Sequence, residues 1–219
     1  VKVPFEITEN PFVGRDSRII VRGKNKIACY GVNGICKWIL ETQELCDTEL
    51  LELNDGTILA LLESAKNGKS AGIRFSPFGN IIEEISFTGI IQSALSCPDG
   101  ILLSFNGGGA GMCSVENGKT STKWTIPYSD RAFSNSNASG GSTFAALSNH
   151  RAALAVCGSG AVKTRILVFS TYDGRVSDWF NADCSFNESI YFSSTSDDNI
   201  FVCDKNKGFV QATNGDVLW

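Results

Sequence analysis

The residues able to carry acid–base, nucleophilic or metal chemistry are few, and their spacing limits what they can do. His150 is the single histidine of the chain. A Ser-His-Asp arrangement would have to use it, yet it falls in Ser148-Asn149-His150-Arg151, which reads as a turn between strands and hence as a solvated histidine. Metal sites need His, Cys or carboxylate ligands at close spacing; the eight cysteines form no C-x-x-C pair, so no metal is predicted. Gly118-Lys119-Thr120 ends like a phosphate-binding loop, but the glycine required five residues earlier is Cys113. Gly158 to Thr164 lacks the Gly-Lys adjacency. Both read as loop glycines. Glu49 and Glu52 remain, as a carboxylate pair of the kind used in glycoside hydrolysis, with an exposed strand face as the alternative.

Bulk properties exclude other classes. The chain has 219 residues, 42% hydrophobic and 19% charged, with a net charge of −4. That charge has the wrong sign for neutralising phosphates, and the lysines come in pairs (24 and 26, 66 and 69, 205 and 207), never in runs, so no nucleic acid is expected. No stretch approaches 18 apolar residues, so no membrane span is predicted.

The elements that would position any site come from a repeat. Residues 23–38 (GKNKIACYGVNGICKW) and 204–219 (DKNKGFVQATNGDVLW) align without gaps. Each reads as a strand, a two-residue Asn-Gly turn with both φ angles positive, and a second strand closing on Trp. Looser copies are residues 72–85 (GIRFSPFGNIIEEI), 111–124 (GMCSVENGKTSTKW) and 165–179 (RILVFSTYDGRVSDW). The turn glycines Gly34, Gly79, Gly118, Gly174 and Gly215 are separated by 45, 39, 56 and 41 residues. A second hairpin precedes most of them, as in residues 50–62, 94–105 and 190–203. Two hairpins per period give four antiparallel strands, A to D. This predicts an all-β chain: a β-propeller of about five four-stranded antiparallel blades. It is read as one domain, residues 1–219, with blades near 1–40, 41–85, 86–124, 125–180 and 181–219.

The strand, Asp/Asn-Gly turn and Trp pattern resembles the quinoprotein-type (PQQ-like) propeller repeat over residues 11–219, within the wider group of WD40-like repeat proteins. That repeat occurs in quinoprotein alcohol dehydrogenases and in a bacterial outer-membrane assembly lipoprotein. The resemblance implies that Trp38, Trp124, Trp179 and Trp219 dock between neighbouring blades; the second unit departs, with Glu84 or Ile85 in that place. The dehydrogenases use a vicinal Cys-Cys pair beside their cofactor. No adjacent cysteines occur here, so the non-catalytic branch is the match and no cofactor is expected. Members more often have seven or eight blades. A compact five-bladed ring, favoured because the edge blades of an open arc would expose apolar faces, and an arc of a larger propeller completed by another chain or by further sequence therefore both stay open.

The cysteines are read mostly as unpaired, buried and apolar in role. Cys29 and Cys113 both lie four residues before a turn Asn, and Cys157 and Cys203 share a strand-B column, so neither pair should bridge. Gly31 is expected opposite Cys36, leaving Cys29 out of disulfide reach; Cys46, Cys97 and Cys184 are the exceptions to watch. Unpaired thiols favour a reducing compartment while the resemblance implies an extracytoplasmic one, so localisation is open.

Topology places binding. The A–B and C–D turns lie at one end of each blade, the B–C and D–A links at the other. The long insertions (63–72, 106–111, 157–164 and 125–142) are all links. They carry Tyr128, Arg131, Phe133, Lys66, Lys69 and Lys163 as candidate binding residues. The expected function is a non-enzymatic scaffold or protein-interaction module using this face. A carbohydrate-binding propeller with a glycan partner is the alternative, and a five-bladed glycoside hydrolase using Glu52 comes third.

Overall fold

The computed structural model describes residues 2–45, 50–62, 69–106, 109–116, 119–126, 140–157, 164–182, 191–203 and 208–218. Among them there is no helix. Consecutive strands pair antiparallel, blade after blade. The first blade orders β1 (Phe12–Val13), β2 (Ile19–Arg22), β3 (Lys26–Tyr30) and β4 (Cys36–Glu41). The second orders β5 (Leu51–Glu52), β6 (Ile58–Leu62), β7 (Ala71–Phe75) and β8 (Ile81–Ser86). The third holds β9 (Ile91–Cys97), β10 (Gly100–Phe105), β11 (Ala110–Glu116) and β12 (Lys119–Ile126). The fourth holds β13 (Gly140–Leu147), β14 (Arg151–Cys157), β15 (Arg165–Ser170) and β16 (Val176–Asn181). The fifth holds β17 (Tyr191–Ser194), β18 (Ile200–Cys203) and β19 (Gly208–Gln211), with a short bridge from Gln211 to Val217 beside them. This succession of antiparallel blades is a β-propeller.

The chain divides into two compact units, residues 1–90 with 115–120 and residues 91–114 with 121–219. In the first, Lys119 pairs with Ser86 at the edge of β8.

Inner strands bury residues on both faces, as β6 (Ile58–Leu62) and β14 show. On β14, Ala152 and Leu154 face Leu102, Met112 and Phe169, while the alternate residues Ala153 and Ala155 face Ile166, Ile200 and Val202. In the first unit, Ile20, Ile27 and Cys29 meet Ile58, Ile73 and Phe75. Each fully buried Leu, Ile or Phe contributes roughly 1.5–3 kcal/mol.

The turns differ from the two-residue form that Asn-Gly suggests. Gly31 N–H donates to Ile35 O (3.0 Å), Gly34 N–H donates to Gly31 O (2.8 Å), and Tyr30, not Gly31, pairs with Cys36. This is a three-residue loop in which Gly34 has φ of 75°, while Asn33 is absent from the positive-φ residues. Asn33 serves differently: its Oδ1 accepts from Ile35 N–H at 3.2 Å. Asp55 and Asn214 make the same bond to Thr57 and Asp216, before Gly56 and Gly215. Ser17 (φ 64°) and Asp198 (φ 60°) take the left-handed place in the first turns of blades one and five.

Two further sequence expectations change. Cys113 does not share the face of Cys29. Met112 lies in the Leu102–Phe169 cluster, and Cys113, the next residue along the strand, points to the opposite face. Counting back from the turn Asn loses the face because the hairpins differ in length.

The docking tryptophans also divide. Trp38 packs edge-on to Phe75, with Nε1 donating to Pro77 O at 3.0 Å; Trp124 repeats this on Phe169 and on Thr171 O at 3.0 Å. Trp179 is placed otherwise. It stands five residues after its turn glycine, where Trp38 stands four after Gly34, and one residue flips a strand side chain to the other face. It is 49% exposed, with Arg165 stacked 4.5 Å from its ring centroid. Phe180 takes the inward place, beside Ile166, Ile200 and Val202 and against Gly215. Trp219 lies outside the described residues.

Candidate functional site

At the turn ends of the blades, polar groups tie neighbouring blades together. Glu52 accepts from Arg15 N–H at 3.1 Å, joining β5 to the first turn of blade one. Arg18 contacts Asp16 and donates to Pro77 O, the acceptor that Trp38 also uses. Within blade two, Arg74 is held among Thr57 (2.8 Å), Glu83 (2.5 Å) and Asp55. In the second unit, Asp99 Oδ2 accepts from Thr171 Oγ1 at 2.6 Å and lies 2.8 Å from His150 Nδ1. Asp198 accepts from Ser148 N–H (2.7 Å), the Ser148 hydroxyl and Arg151 (2.6 Å).

These contacts decide the chemistry of the sequence candidates. Thr171 and His150 both meet the same Asp99 oxygen, so the hydroxyl faces carboxylate and not imidazole. That is a staple and not a nucleophile–base pair. Burial pushes the Asp99 carboxyl up, but hydrogen bonds from Thr171 and His150 outweigh it and hold the group below the usual aspartate range. The Ser148 hydroxyl, and then its N–H, hold Asp198 low in the same way. Glu52 is engaged by the Arg15 turn, and Glu49 lies outside the described residues. Among the described residues no three His, Cys, Asp or Glu side chains cluster as metal ligands. Among the described residues no helix is long and apolar enough to cross a membrane.

The link ends are built differently. In the first unit the N-terminal segment crosses this end of blade one. Val3 and Phe5 pack on Val21, Ala28 and Tyr30, and Thr8 N–H donates to Arg22 O at 3.0 Å. Gly23 permits the crossing, since a Cβ there would lie 2.6 Å from Glu6 O. Between this segment and the start of β5 is a cavity of about 190 Å³, with Phe12, Val13, Ile20 and Leu50 as apolar walls and Arg22 and Glu9 as its charges. Arg22 is 3% exposed, and its Nη2 lies 3.5 Å from Oε1 of Glu9, which is 38% exposed. In the second unit, Ser104 Oγ joins Ser93 Oγ (2.7 Å) and Ser142 Oγ (2.6 Å) toward the link ends of the inner strands.

Of the six loop residues singled out in the sequence, Lys69 is exposed at the start of β7. Tyr128, Arg131, Phe133, Lys66 and Lys163 lie outside the described residues. Glu9 and Arg22 escaped the sequence reading. Their only signal is a cation continuing the apolar run Ile19-Ile20-Val21 just before a glycine.

Cys29 and Cys113 are buried free thiols and Cys36 is an exposed one. Burial pushes the thiol of Cys113 up to about 11 and that of Cys97 up to about 12. Cys46 and Cys184, and the side chain of Cys157, lie outside the described residues.

No family model and no curated protein matches the chain. Solved structures do. A Bacteroides caccae protein of unknown function matches with TM-score 0.63 at 13% identity, over 95% of this chain and 79% of that one. BamB from Moraxella catarrhalis matches with TM-score 0.61 at 12% identity, over 92% of this chain and 60% of that one. The WD40 domain of Neurospora crassa Pan2 matches with TM-score 0.64 at 13% identity, over 91% of this chain and 61% of that one. The chain thus spans about three fifths of the BamB and Pan2 structures. At these identities the likeness establishes the β-propeller fold.

Proposed function

We propose that this chain is a non-enzymatic β-propeller interaction module that binds a partner protein through its link ends. The supporting observation is the contrast between the two ends of the blades. Turn-end carboxylates (Glu52, Asp99 and Asp198) are taken up in staples between blades. The link end of blade one keeps a cavity of about 190 Å³, walled in part by Phe12, Val13, Ile20 and Leu50. The single-domain, five-blade reading and the PQQ-like repeat belong to the same proposal and rest on the Asn-Gly hairpins and docking tryptophans. Lys69, with Tyr128, Arg131, Phe133, Lys66 and Lys163, supplies the binding surface in this reading.

A carbohydrate-binding propeller is the alternative. The observation in its favour is Trp179, half exposed and backed by Arg165, a flat aromatic platform of the kind sugars stack on.

Affinity capture from the native cells separates these readings. The link-end variant Arg131→Ala/Phe133→Ala should lose the captured protein, and the turn-end variant Phe78→Ser/Tyr172→Ser should keep it. Loss with the turn-end variant alone contradicts the proposal. Release of the partner by free sugar, abolished by Trp179→Ala, favours the alternative.

A further inference from the structure

We infer that Cys36, at the start of β4, is a site of reversible oxidation by hydrogen peroxide, and that the Tyr30 hydroxyl holds the sulfenic acid formed there. The inference goes beyond the binding reading above and does not depend on it.

Two independent observations meet at this point of blade one. The first is the thiol itself: Cys36 is free and exposed, whereas Cys29, Cys97 and Cys113 are buried. The second is an orphaned donor. Tyr30 lies directly across from Cys36 in the β3–β4 ladder and is 4% exposed. Its Oη is buried and has no hydrogen-bond partner among the described residues. A buried donor left unpaired is costly, so a group that can accept from it is expected at this place. Burial, and then the Cys36 thiol beside it, push the Tyr30 hydroxyl up. That thiol is a weak acceptor and is turned elsewhere, with its Sγ donating to Trp38 O at 3.6 Å.

An oxygen atom on Sγ completes the pair. The Cys36 thiolate attacks one oxygen of hydrogen peroxide, and the S–O bond forms as the O–O bond breaks. Sulfur gives up two electrons, and the departing hydroxide takes up the proton that the thiol released, becoming water. The new oxygen reaches one bond farther than sulfur and accepts more strongly, so the Tyr30 O–H donates to it. A sulfenic acid is consumed where a second thiol of the protein can condense with it. In the first unit the other described cysteine is Cys29, which packs with Ile20, Ile73 and Phe75. Tyr30 packs with Val3, Phe5 and Val21 on the opposite face. The acid at Cys36 is thus left for a small thiol from solution. That thiol condenses with it, releasing water and leaving a mixed disulfide, and a second one restores Cys36 by exchange.

Treatment of the whole chain with hydrogen peroxide, then catalase, a timed delay and dimedone, tests this by mass spectrometry of the peptides. Dimedone should mark Cys36 in the native protein and leave Cys29, Cys97 and Cys113 unmarked. Dithiothreitol given before dimedone should restore the free thiol, and Cys36→Ser should lose the mark. Tyr30→Phe keeps the ring and its packing and removes only the hydroxyl. It should leave the alkylation rate of reduced Cys36 by iodoacetamide unchanged. The fraction trapped by dimedone after the delay should fall about three- to tenfold, the worth of one hydrogen bond. Oxidation should also raise the thermal midpoint of the wild type and not that of Tyr30→Phe. An unmarked Cys36, or equal marking of the buried cysteines, overturns the site. Failure of dithiothreitol to restore the thiol overturns its reversibility. An equal trapped fraction or an equal midpoint shift in Tyr30→Phe overturns the role of the hydroxyl. So does an alkylation rate that falls in step with the trapped fraction, which would make Tyr30 a packing neighbour only.

Discussion

Gly79 lies flat against Trp38: a Cβ on this glycine would stand 2.6 Å from Cδ2 of the indole, and the backbone already holds φ at 82°. Gly174 has the same relation to Trp124, at 2.5 Å from Cε3 and φ of 74°. The glycine of a C–D turn thus does two jobs. It closes the hairpin, and it gives the tryptophan of the preceding blade a surface without side chain to rest on.

Gly79→Ala should accordingly cost more than a turn glycine alone explains. Gly56 has a similar φ of 78°, but nothing lies within 4 Å of its Cβ position. Gly56→Ala should therefore cost about 1–2 kcal/mol for the left-handed backbone. Gly79→Ala should cost about 1–3 kcal/mol more, from overpacking on Trp38. Urea unfolding of both variants checks the order; equal losses would remove the packing role.

The inward position in blade four belongs to Phe180. Phe180→Ala should destabilise by about 3–5 kcal/mol. Trp179→Ala should cost about 0.5–1 kcal/mol, the value of an exposed cation–π contact with Arg165. Thermal or chemical denaturation separates the two by a wide margin.

Asp198 makes stability depend on acid. Its folded carboxyl is held below the usual range by the Ser148 hydroxyl, then the Ser148 N–H, with Arg151 adding to them against burial. A depressed carboxylate stabilises the fold above the unfolded value of about 3.9 and loses that contribution as pH falls through the lower folded value. Asp198→Asn should lower stability by about 1–3 kcal/mol at pH 7. The wild-type and variant curves should converge toward acid pH. A constant gap across the pH series would assign the effect to packing.

Thiol labelling should follow burial. Exposed Cys36 should alkylate in the native protein, while Cys29, Cys97 and Cys113 should stay protected until denaturation, since burial raises each thiol and blocks access. Mass spectrometry of peptides labelled before and after unfolding reads this directly.

What was legible in the sequence follows from what is local. Asn33-Gly34 and Asn214-Gly215 mark hairpins because turn geometry is decided within a few residues. The role of the Asn, a side-chain acceptor and not a second positive φ, depends on the length of the loop, which residue identity does not specify. The face of Trp179 is lost for the same reason: one residue between turn and tryptophan reverses it. The staples are farther still from view, since Asp99 meets Thr171 across 72 residues of chain. The link-end topology was readable from alternating strands, but Arg22 and Glu9 carry no motif. Only the folded chain brings the segment ahead of β1 over the end of β2.

Hydrogen exchange of the chain with its captured partner tests the central claim most directly. The account predicts new protection at the link ends, over residues 5–12, 22–26 and 69–71, with the turns at 31–35, 76–80, 171–175 and 212–216 unchanged. Protection confined to those turns, with the link ends unaltered, would contradict it.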